Sequence, residues 1–361
     1  MQTETSTPPI PDVLPWADRL RNAATLLVII IHVSAQVAQN FPGPGAGHWW
    51  AGAAWDALGR PSVNLFVMLS GFLLFGKNYP TDIFLKKRFV RVLIPALFWM
   101  AVYLVYNFFA HGDPATLGQA LAHVLEGPVH YHLWFIYLIL GLYLMYPVLR
   151  PWVQQAPERD FRYFFVLCIL GTWVYKTLLY CFDLRFGLSI ELFTNHLGHF
   201  VLGYYLGNKA AAGEAVTRPG IEPWGYTRSR LVIGGWVLIA LTTAVSLLAT
   251  YGLSVRHGIF QPFFFDYLTP TSTMGAAGWM LLARHGWNTR PIRQVESRFA
   301  ATSFGIYLIH VLLMDGLTVL GFGHSFIHPV LGIPVVAAAV ALLSFAAVSL
   351  IRTLPFGKNI T

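Results

Sequence analysis

Ten apolar segments, most of them close to the length of a membrane-crossing helix, constrain the fold of this chain more than any other feature. A helix needs about 20 predominantly apolar residues to cross the hydrocarbon of a bilayer. The segments cover residues 20–37, 63–75, 90–109, 133–149, 161–182, 192–206, 231–253, 260–282, 300–320 and 329–351. Only 11% of the residues are charged, against about 25% in soluble domains. We therefore predict an all-α polytopic membrane helix bundle of about ten transmembrane helices, rather than a soluble or disordered chain.

The distribution of basic residues supports this count. If successive loops alternate between the two sides of a membrane, the side that holds the N-terminus receives 20 of the 24 lysine and arginine residues. Of the others, Arg60, Arg185 and Arg256 fall on the opposite side, and Lys176 lies inside the fifth segment. The positive-inside rule then predicts that both termini are cytoplasmic. Topology thus explains the net charge of +8, and no nucleic-acid partner is expected.

The loops between the segments are too short to hold a folded soluble domain. Residues 15–353 are therefore predicted to form a single transmembrane domain. Residues 1–14 are predicted to be a disordered tail, and residues 354–361 a cytoplasmic tail. In the sixth segment, Gly203-x-x-x-Gly207 matches a motif for close helix packing, and we interpret it in that way.

Two ionisable residues of the first segment are candidates for a functional site. Arg21 and His32 lie eleven residues apart, which on a helix is almost a return to the same face with a rise of about 16 Å. The spacing predicts one polar groove, with Arg21 at its cytoplasmic end and His32 beyond the middle of the membrane. Considered alone, Arg21 could be an anchor whose charged end extends to the membrane surface. His32 could be a neutral histidine that is hydrogen-bonded to a neighbouring helix. We favour a functional His32, because ionisable groups are costly in a membrane and histidine exchanges protons near neutral pH.

Other polar residues occupy matching depths in later segments. His310 lies in the middle of the ninth segment, where it could share a cavity with His32 or simply pack against Tyr307. Arg88 and Arg91, at the start of the third segment, share a helix face and could clamp phosphate oxygens, although topology alone also explains them. The outer ends of the fourth and sixth segments carry His132, Trp134, Asn195, His196 and His199. These outer residues suit either a binding site or the aromatic belt of a membrane interface.

Five motifs, taken in order, make the chain resemble the acyltransferase 3 family of integral-membrane acyltransferases. They are Arg21 with His32, NLFVMLSGF at residues 64–72, FLKKRFVR at 84–91, HLWF and GLY at 132–135 and 141–143, and FGIYLIH at 304–310. Each motif is weak alone, but together they span nearly the whole chain. Two features depart from the family pattern: Asn64 stands where many members have an acidic residue, and the esterase-like domain of some members is missing.

The resemblance implies a membrane-embedded O-acyltransferase of the stand-alone type that modifies surface polysaccharides, located in a bacterial plasma membrane. Such proteins move an acyl group, commonly acetyl from acetyl-CoA, to a sugar hydroxyl of a cell-envelope glycan or glycolipid. Acetyl-CoA is then a co-substrate, and no metal is expected. Its phosphates would meet basic side chains on the cytoplasmic side, namely Arg21, Arg88, Arg91 and Lys87.

His32, His310 and Tyr307 are the catalytic residues that this reading predicts. Neutral His32 would act as general base on the acceptor hydroxyl or form a transient acyl-histidine, and the sequence leaves both paths open. The oxyanion needs a hydrogen-bond donor, which Tyr307, Ser70 or His310 could supply. The residues predicted to bind the acceptor are His132, Trp134, Asn64, Ser70, Asn195, His196 and His199.

Transport is the alternative function. A polytopic protein with histidines inside the membrane could be a proton-coupled transporter or exporter of a small solute or glycan. A membrane scaffold that binds partners through small-residue helix faces is a third possibility. Neither alternative explains the alignment of Arg21 with His32 or the ordered series of motifs.

Overall fold

The computed structural model describes residues 14–45, 47–112, 116–182, 184, 191–209, 226–287 and 290–361. These residues form helices joined by short connections and contain no β-strand, which confirms the predicted all-α fold. Within them, eight helical stretches are long and apolar enough to cross a membrane. The count of about ten spans and the cytoplasmic position of both termini stay predictions. The predicted N-terminal tail, apart from Leu14, lies outside the described residues.

The helices are numbered in chain order. The first are α1 (Pro15–Ala38), α2 (Gly47–Gly59), α3 (Ser62–Phe75), α4 (Thr81–His111), α5 (Leu117–Glu126) and α6 (Trp134–Gln155), the last preceded by a 3₁₀ turn at Tyr131–Leu133. Next come α7 (Glu158–Cys168), a π-helical stretch (Ile169–Val174), α8 (Tyr175–Phe182), α9 (Glu191–Tyr204) and a second π-helical stretch (Tyr205–Lys209). The remaining helices are α10 (Arg228–His257), α11 (Pro270–Gly286), α12 (Gln294–Val319) and α13 (Pro329–Ile351). Five of these helices, α2, α3, α11, α12 and α13, pack against α1.

Two predicted segments differ in extent from the helices observed. The second segment, 63–75, is preceded directly by α2, so that Gly47–Phe75 forms one apolar stretch with a break before α3. The eighth segment, 260–282, contains a 3₁₀ turn, and α11 begins only at Pro270. There the Thr269 hydroxyl accepts a hydrogen bond from the Ser272 amide. Because proline suits the first turn of a helix, this cap fixes a later start than the apolar pattern suggests.

The break between α2 and α3 contains an arginine that the loop count assigned to an outer loop. Arg60 forms an ion pair with Asp56, one turn earlier on α2, and Asp56 is fully buried. The Arg60 guanidinium also lies 5.1 Å from the centre of the Phe265 ring. An arginine without a partner would be costly in this position, and Asp56 supplies the partner. Arg60 thus lies in a connection between two helices, as expected, but it is packed against the bundle; its position on the outer side stays a prediction.

The backbones of α3 and α9 touch where the two helices cross. A β-carbon on Gly203 would overlap the carbonyl oxygen of Met68, and one on Gly71 would overlap that of Phe200. Only glycine leaves room for this approach. The interpretation of Gly203-x-x-x-Gly207 as a packing motif is confirmed.

Substitution of Gly203 by alanine is expected to destabilise the protein by about 1–3 kcal/mol, the usual cost of overpacking. The matched control is Gly234→Ala on α10, where no neighbouring atom lies within 4 Å of an added β-carbon. Thermal unfolding in detergent measures both variants. A Gly203→Ala protein as stable as the control would contradict the close crossing of α3 and α9.

Arg19 ties the connection between α11 and α12 to α1. Its guanidinium donates to the carbonyl oxygens of Trp287 and Pro291 and lies 3.2 Å from the Glu296 carboxylate. The buried side chain of Arg19 therefore has a structural role. Of the two arginines in the first turns of α1, only Arg21 faces the cavity described below.

The last residues of the chain fold back against α4. Trp99 Nε1 donates to the Ile360 carbonyl oxygen over 2.8 Å, and Arg352 Nε donates to the Thr361 hydroxyl over 3.1 Å. Residues 352–361 thereby cover part of α4 near the end that carries the FLKKRFVR motif.

Candidate active site

A cavity of about 270 Å³ lies between α1, α3, α4, α6 and α12. Arg21 and His32 both line it, so the groove that their spacing predicts is present. Arg88 and Arg91 of α4 line the part of the cavity nearest Arg21. His32 and His132 both line the part of the cavity farther from Arg21. The cavity therefore has guanidinium groups toward one end and imidazole rings toward the other.

The guanidinium end contains more positive charge than its acidic neighbours balance. Arg21 Nη1 donates to Asp18 Oδ1 over 2.8 Å. Arg88 and Arg91 have no carboxylate partner in the part of the chain that the structure describes. The Arg88 guanidinium lies 5.9 Å from the ring centre of Tyr143. Two arginines without an acidic partner, one turn apart, suit an anionic ligand such as a phosphate.

At the imidazole end, His32 contacts His310, which is fully buried behind it and does not itself line the cavity. His310 Nε2 lies 2.8 Å from His32 Nδ1, and His310 Nδ1 lies 2.7 Å from the carbonyl oxygen of Tyr307. A carbonyl oxygen only accepts, so neutral His310 carries its proton on Nδ1 and accepts at Nε2. Neutral His32 must then carry its own proton on Nδ1. We infer from this order of acceptors that His32 Nε2 keeps its lone pair.

Tyr307 holds the turn that precedes α6. Its hydroxyl donates to the carbonyl oxygen of His132, and His132 Nδ1 lies 3.0 Å from His130 Nδ1. The rings of His132 and His310 have centres 5.3 Å apart. Because the Tyr307 proton is engaged in the bond to His132, Tyr307 orients this turn, and in this conformation its proton does not point to a reacting oxyanion.

Tyr131, in the same turn, lies on another side of His32. The two ring centres are 5.5 Å apart, and the Tyr131 side chain is 54% exposed. Tyr131 does not line the cavity. His32 therefore contacts the cavity on one side and a half-exposed aromatic ring on another.

Some of the residues predicted to bind the acceptor or the donor line the cavity, and others do not. Among the acceptor residues, those in the lining are His132, Trp134 and Ser70. Asn64 is fully buried outside the lining, where its side-chain amide donates to the Tyr267 carbonyl and the Ser272 hydroxyl. Asn64 thus joins α3 to the start of α11. Among the basic residues, Lys87 faces two neighbouring pockets instead of the cavity.

The predicted residues of α9 also lie outside the cavity lining. His199 Nε2 is 2.8 Å from the Thr273 hydroxyl of α11. The His196 ring has its centre 6.0 Å from that of Trp134, and Asn195 has the non-helical backbone angles of a kink in α9. These three residues support the helices behind Trp134, and the structure does not bring them to His32.

Two tyrosines complete the cavity without having been singled out in the sequence. Tyr143 of α6 lies near the arginines, and the Tyr267 ring lies at 31° to Trp134 with centres 5.4 Å apart. Tyr143 belongs to the motif Gly141-Leu142-Tyr143, and this membership was the feature of the sequence that could have identified it. Tyr267 lies in the connection before α11, where no periodic pattern predicts its position.

A comparison with known protein families distinguishes between the functions that this geometry allows. A family model, acyltransferase 3, described as an acyltransferase domain, matches residues 14–351. The chain belongs to the acyltransferase 3 family. The resemblance drawn from the motifs is confirmed, and this acyltransferase 3 protein is an acyltransferase whose apolar helices are consistent with a multi-pass membrane protein. Searches of curated proteins and of solved structures give no match.

Proposed function

We propose that this acyltransferase moves an acyl group, in the simplest case acetyl, from cytoplasmic acyl-CoA to a sugar hydroxyl of a cell-envelope glycan or glycolipid. One observation carries the proposal. A single cavity joins arginines without acidic partners to a histidine whose Nε2 lone pair is available. Phosphate binding and proton transfer, the two things that acyl-CoA chemistry requires, are thereby brought into one space.

The size of the cavity suggests that it holds only part of the acyl-CoA donor. About 270 Å³ is less than the roughly 300–1,000 Å³ typical of pockets for drug-sized ligands. The long thin pantetheine arm of coenzyme A fits such a space better than its nucleotide does. In the proposed complex the phosphates remain with Arg88 and Arg91, and the thioester lies beside His32.

The proposed reaction is a direct acyl transfer with His32 as general base. His32 Nε2 takes the proton of the acceptor hydroxyl as the hydroxyl oxygen attacks the thioester carbon. The tetrahedral oxyanion collapses, the carbon–sulfur bond breaks, and imidazolium His32 returns the proton to the coenzyme A thiolate. An ester and coenzyme A result, without net uptake of protons. In the alternative path, His32 Nε2 attacks the thioester carbon and expels the coenzyme A thiolate. The acceptor oxygen then displaces the imidazole from the acyl carbon, and the acceptor proton passes to the thiolate.

The aromatic residues beyond His32 suit a sugar acceptor. Trp134 and Tyr267 present neighbouring rings to the cavity, and the imidazole of His132 lies beside them. Flat apolar rings with polar groups at their edges bind the carbon faces and hydroxyls of carbohydrates. We propose that the acceptor hydroxyl reaches His32 past these residues.

The proposal is tested by following the acetyl group. Membranes with and without the protein receive acetyl-CoA labelled in the acetyl group, and the label is measured in base-labile esters of the glycan and glycolipid fractions. Ester label that depends on the protein is the expected result. Solute uptake by the same vesicles without any ester label would instead favour a transporter.

His310→Ala is expected to lower kcat about tenfold, because His310 would no longer orient His32 through a hydrogen bond worth roughly 0.5–1.5 kcal/mol. The KM for acyl-CoA should stay unchanged, since the phosphates bind at the arginines. His310→Gln should recover part of kcat, because its side-chain oxygen can accept from His32 Nδ1. Equal losses in the two variants, or a change confined to KM, would rule out an orienting role.

A further inference from the structure

A second pocket lies beside the cavity, between α4, α12 and residues 352–361. We call it the lateral pocket. Arg91, Ala301 and Phe304 line both the lateral pocket and the cavity. These side chains therefore form a common wall between the two spaces.

The lateral pocket is strongly basic. Its lining contains one acidic side chain, from Asp82, and five basic side chains, from Lys86, Lys87, Arg91, Arg352 and Lys358. Within the described residues, none of the five forms an ion pair with an aspartate or glutamate side chain. Arg352 donates to the hydroxyl and the main-chain oxygen of Thr361. Burial and, secondly, the nearby guanidinium of Arg91 lower the pKa of Arg352. Because the positive charges outnumber the negative ones, the pocket has a positive potential that attracts an anion.

The same pocket continues into an apolar surface of α4. Ile83, Val90 and Ile94 line it and have exposed side chains. Leu97 and Val105 continue this exposed stripe along the same face of the helix. Because Thr81–Ala110 is one of the apolar stretches long enough to cross a membrane, the stripe is suited to contact with lipid chains.

We propose that the lateral pocket binds an anionic phospholipid. Its phosphate contacts Lys86, Arg352 and Lys358, and one acyl chain lies along the exposed stripe of α4. Basic pockets beside membrane helices recognise anionic lipid headgroups in this way. A free phosphate or a nucleotide would satisfy the basic groups but would leave the apolar stripe without a partner, so the combination favours a lipid.

The test measures binding of fluorescent phosphatidylglycerol to the purified full-length protein in a neutral detergent. Unlabelled competitors are phosphatidylglycerol, phosphatidylcholine with the same chains, inorganic phosphate and adenosine 3′,5′-bisphosphate. We expect phosphatidylglycerol to compete at least tenfold better than each of the others. The double variant Lys86→Gln with Lys358→Gln is expected to bind it about 30-fold more weakly, because each basic group near an anionic headgroup contributes about fivefold.

The matched control is Arg159→Gln with Arg162→Gln, which removes two positive charges from exposed positions on α7. Lys86 and Lys358 are also exposed, so neither double variant disturbs packing. An equal loss of binding in the control, or none in the Lys86/Lys358 variant, would overturn the proposal. Equal competition by phosphatidylcholine would do the same, and competition by phosphate or the nucleotide would assign the pocket to a soluble anion. Because the assay measures lipid binding alone, its result is independent of acyl transfer.

Discussion

His32→Ala is expected to lower the rate of acyl transfer by about 10²- to 10⁴-fold, the usual contribution of a general base. The loss should appear in kcat, because alanine removes the Nε2 lone pair that takes the acceptor proton. Binding of acyl-CoA should persist, since Arg88 and Arg91 remain. The measurement is transfer of labelled acetyl groups by membranes that contain equal amounts of each protein.

The control for this variant is His257→Ala. His257 is exposed at the end of α10 and does not line the cavity, so its removal should leave transfer unchanged. Near-normal transfer by His32→Ala would reject both the general-base path and the acyl-histidine path. The proposed chemistry would then have no group to perform it.

The second large effect is expected from Arg88→Ala combined with Arg91→Ala, which should weaken acyl-CoA binding by about 100-fold. Hydrogen bonds to charged groups contribute roughly 1.5–3 kcal/mol each, so each arginine accounts for at least about tenfold. Titration of the purified protein with a non-hydrolysable acyl-CoA analogue measures the affinity. In contrast to His32→Ala, kcat at saturating donor should change little.

Two comparisons make the arginine result specific. Arg159→Ala with Arg162→Ala removes the same charge from α7 and should leave the affinity unchanged. Arg88→Lys keeps the charge but lacks the planar fork that holds two phosphate oxygens, so it should weaken binding less than Arg88→Ala. If the double variant of α4 bound the donor as tightly as the wild type, the phosphates would have to bind elsewhere.

The parts of the site that lie on regular helices could be predicted from the sequence. Arg21 and His32 face one cavity because eleven residues make just over three full turns, and this holds whatever surrounds α1. His310 was placed near His32 by counting depth along the ninth segment. In each case the rise and turn of a regular helix supply the geometry, so spacing in the sequence becomes position in space.

The parts that depend on irregular backbone could not be predicted. His132 reaches His310 because a 3₁₀ turn, fastened by the Tyr307 hydroxyl, precedes α6. His199 contacts Thr273 on α11, and α9 has a kink four residues earlier, at Asn195. Apolar periodicity describes neither feature, and it gave no reason to separate His199 from the outer residues that do line the cavity.

Arg60 shows a further limit of reading topology from charge alone. The alternation of loops predicts only the side of the membrane for Arg60, whereas the structure shows that pairing with Asp56, one turn earlier, allows its burial. The spacing of the two residues was visible in the sequence. What the sequence did not reveal was that a helix, α2, directly precedes the second segment, so that Asp56 on α2 and Arg60 just after it are both packed against the bundle.

The placing of arginines toward one end of the cavity and of imidazole and aromatic rings toward the other has a consequence for the barrier function of the bilayer. If, as proposed, acyl-CoA enters along the arginines and the sugar approaches past the aromatic rings, only a two-carbon fragment has to cross from one compartment to the other. Neither the charged nucleotide nor the hydrated glycan would need to traverse the hydrocarbon.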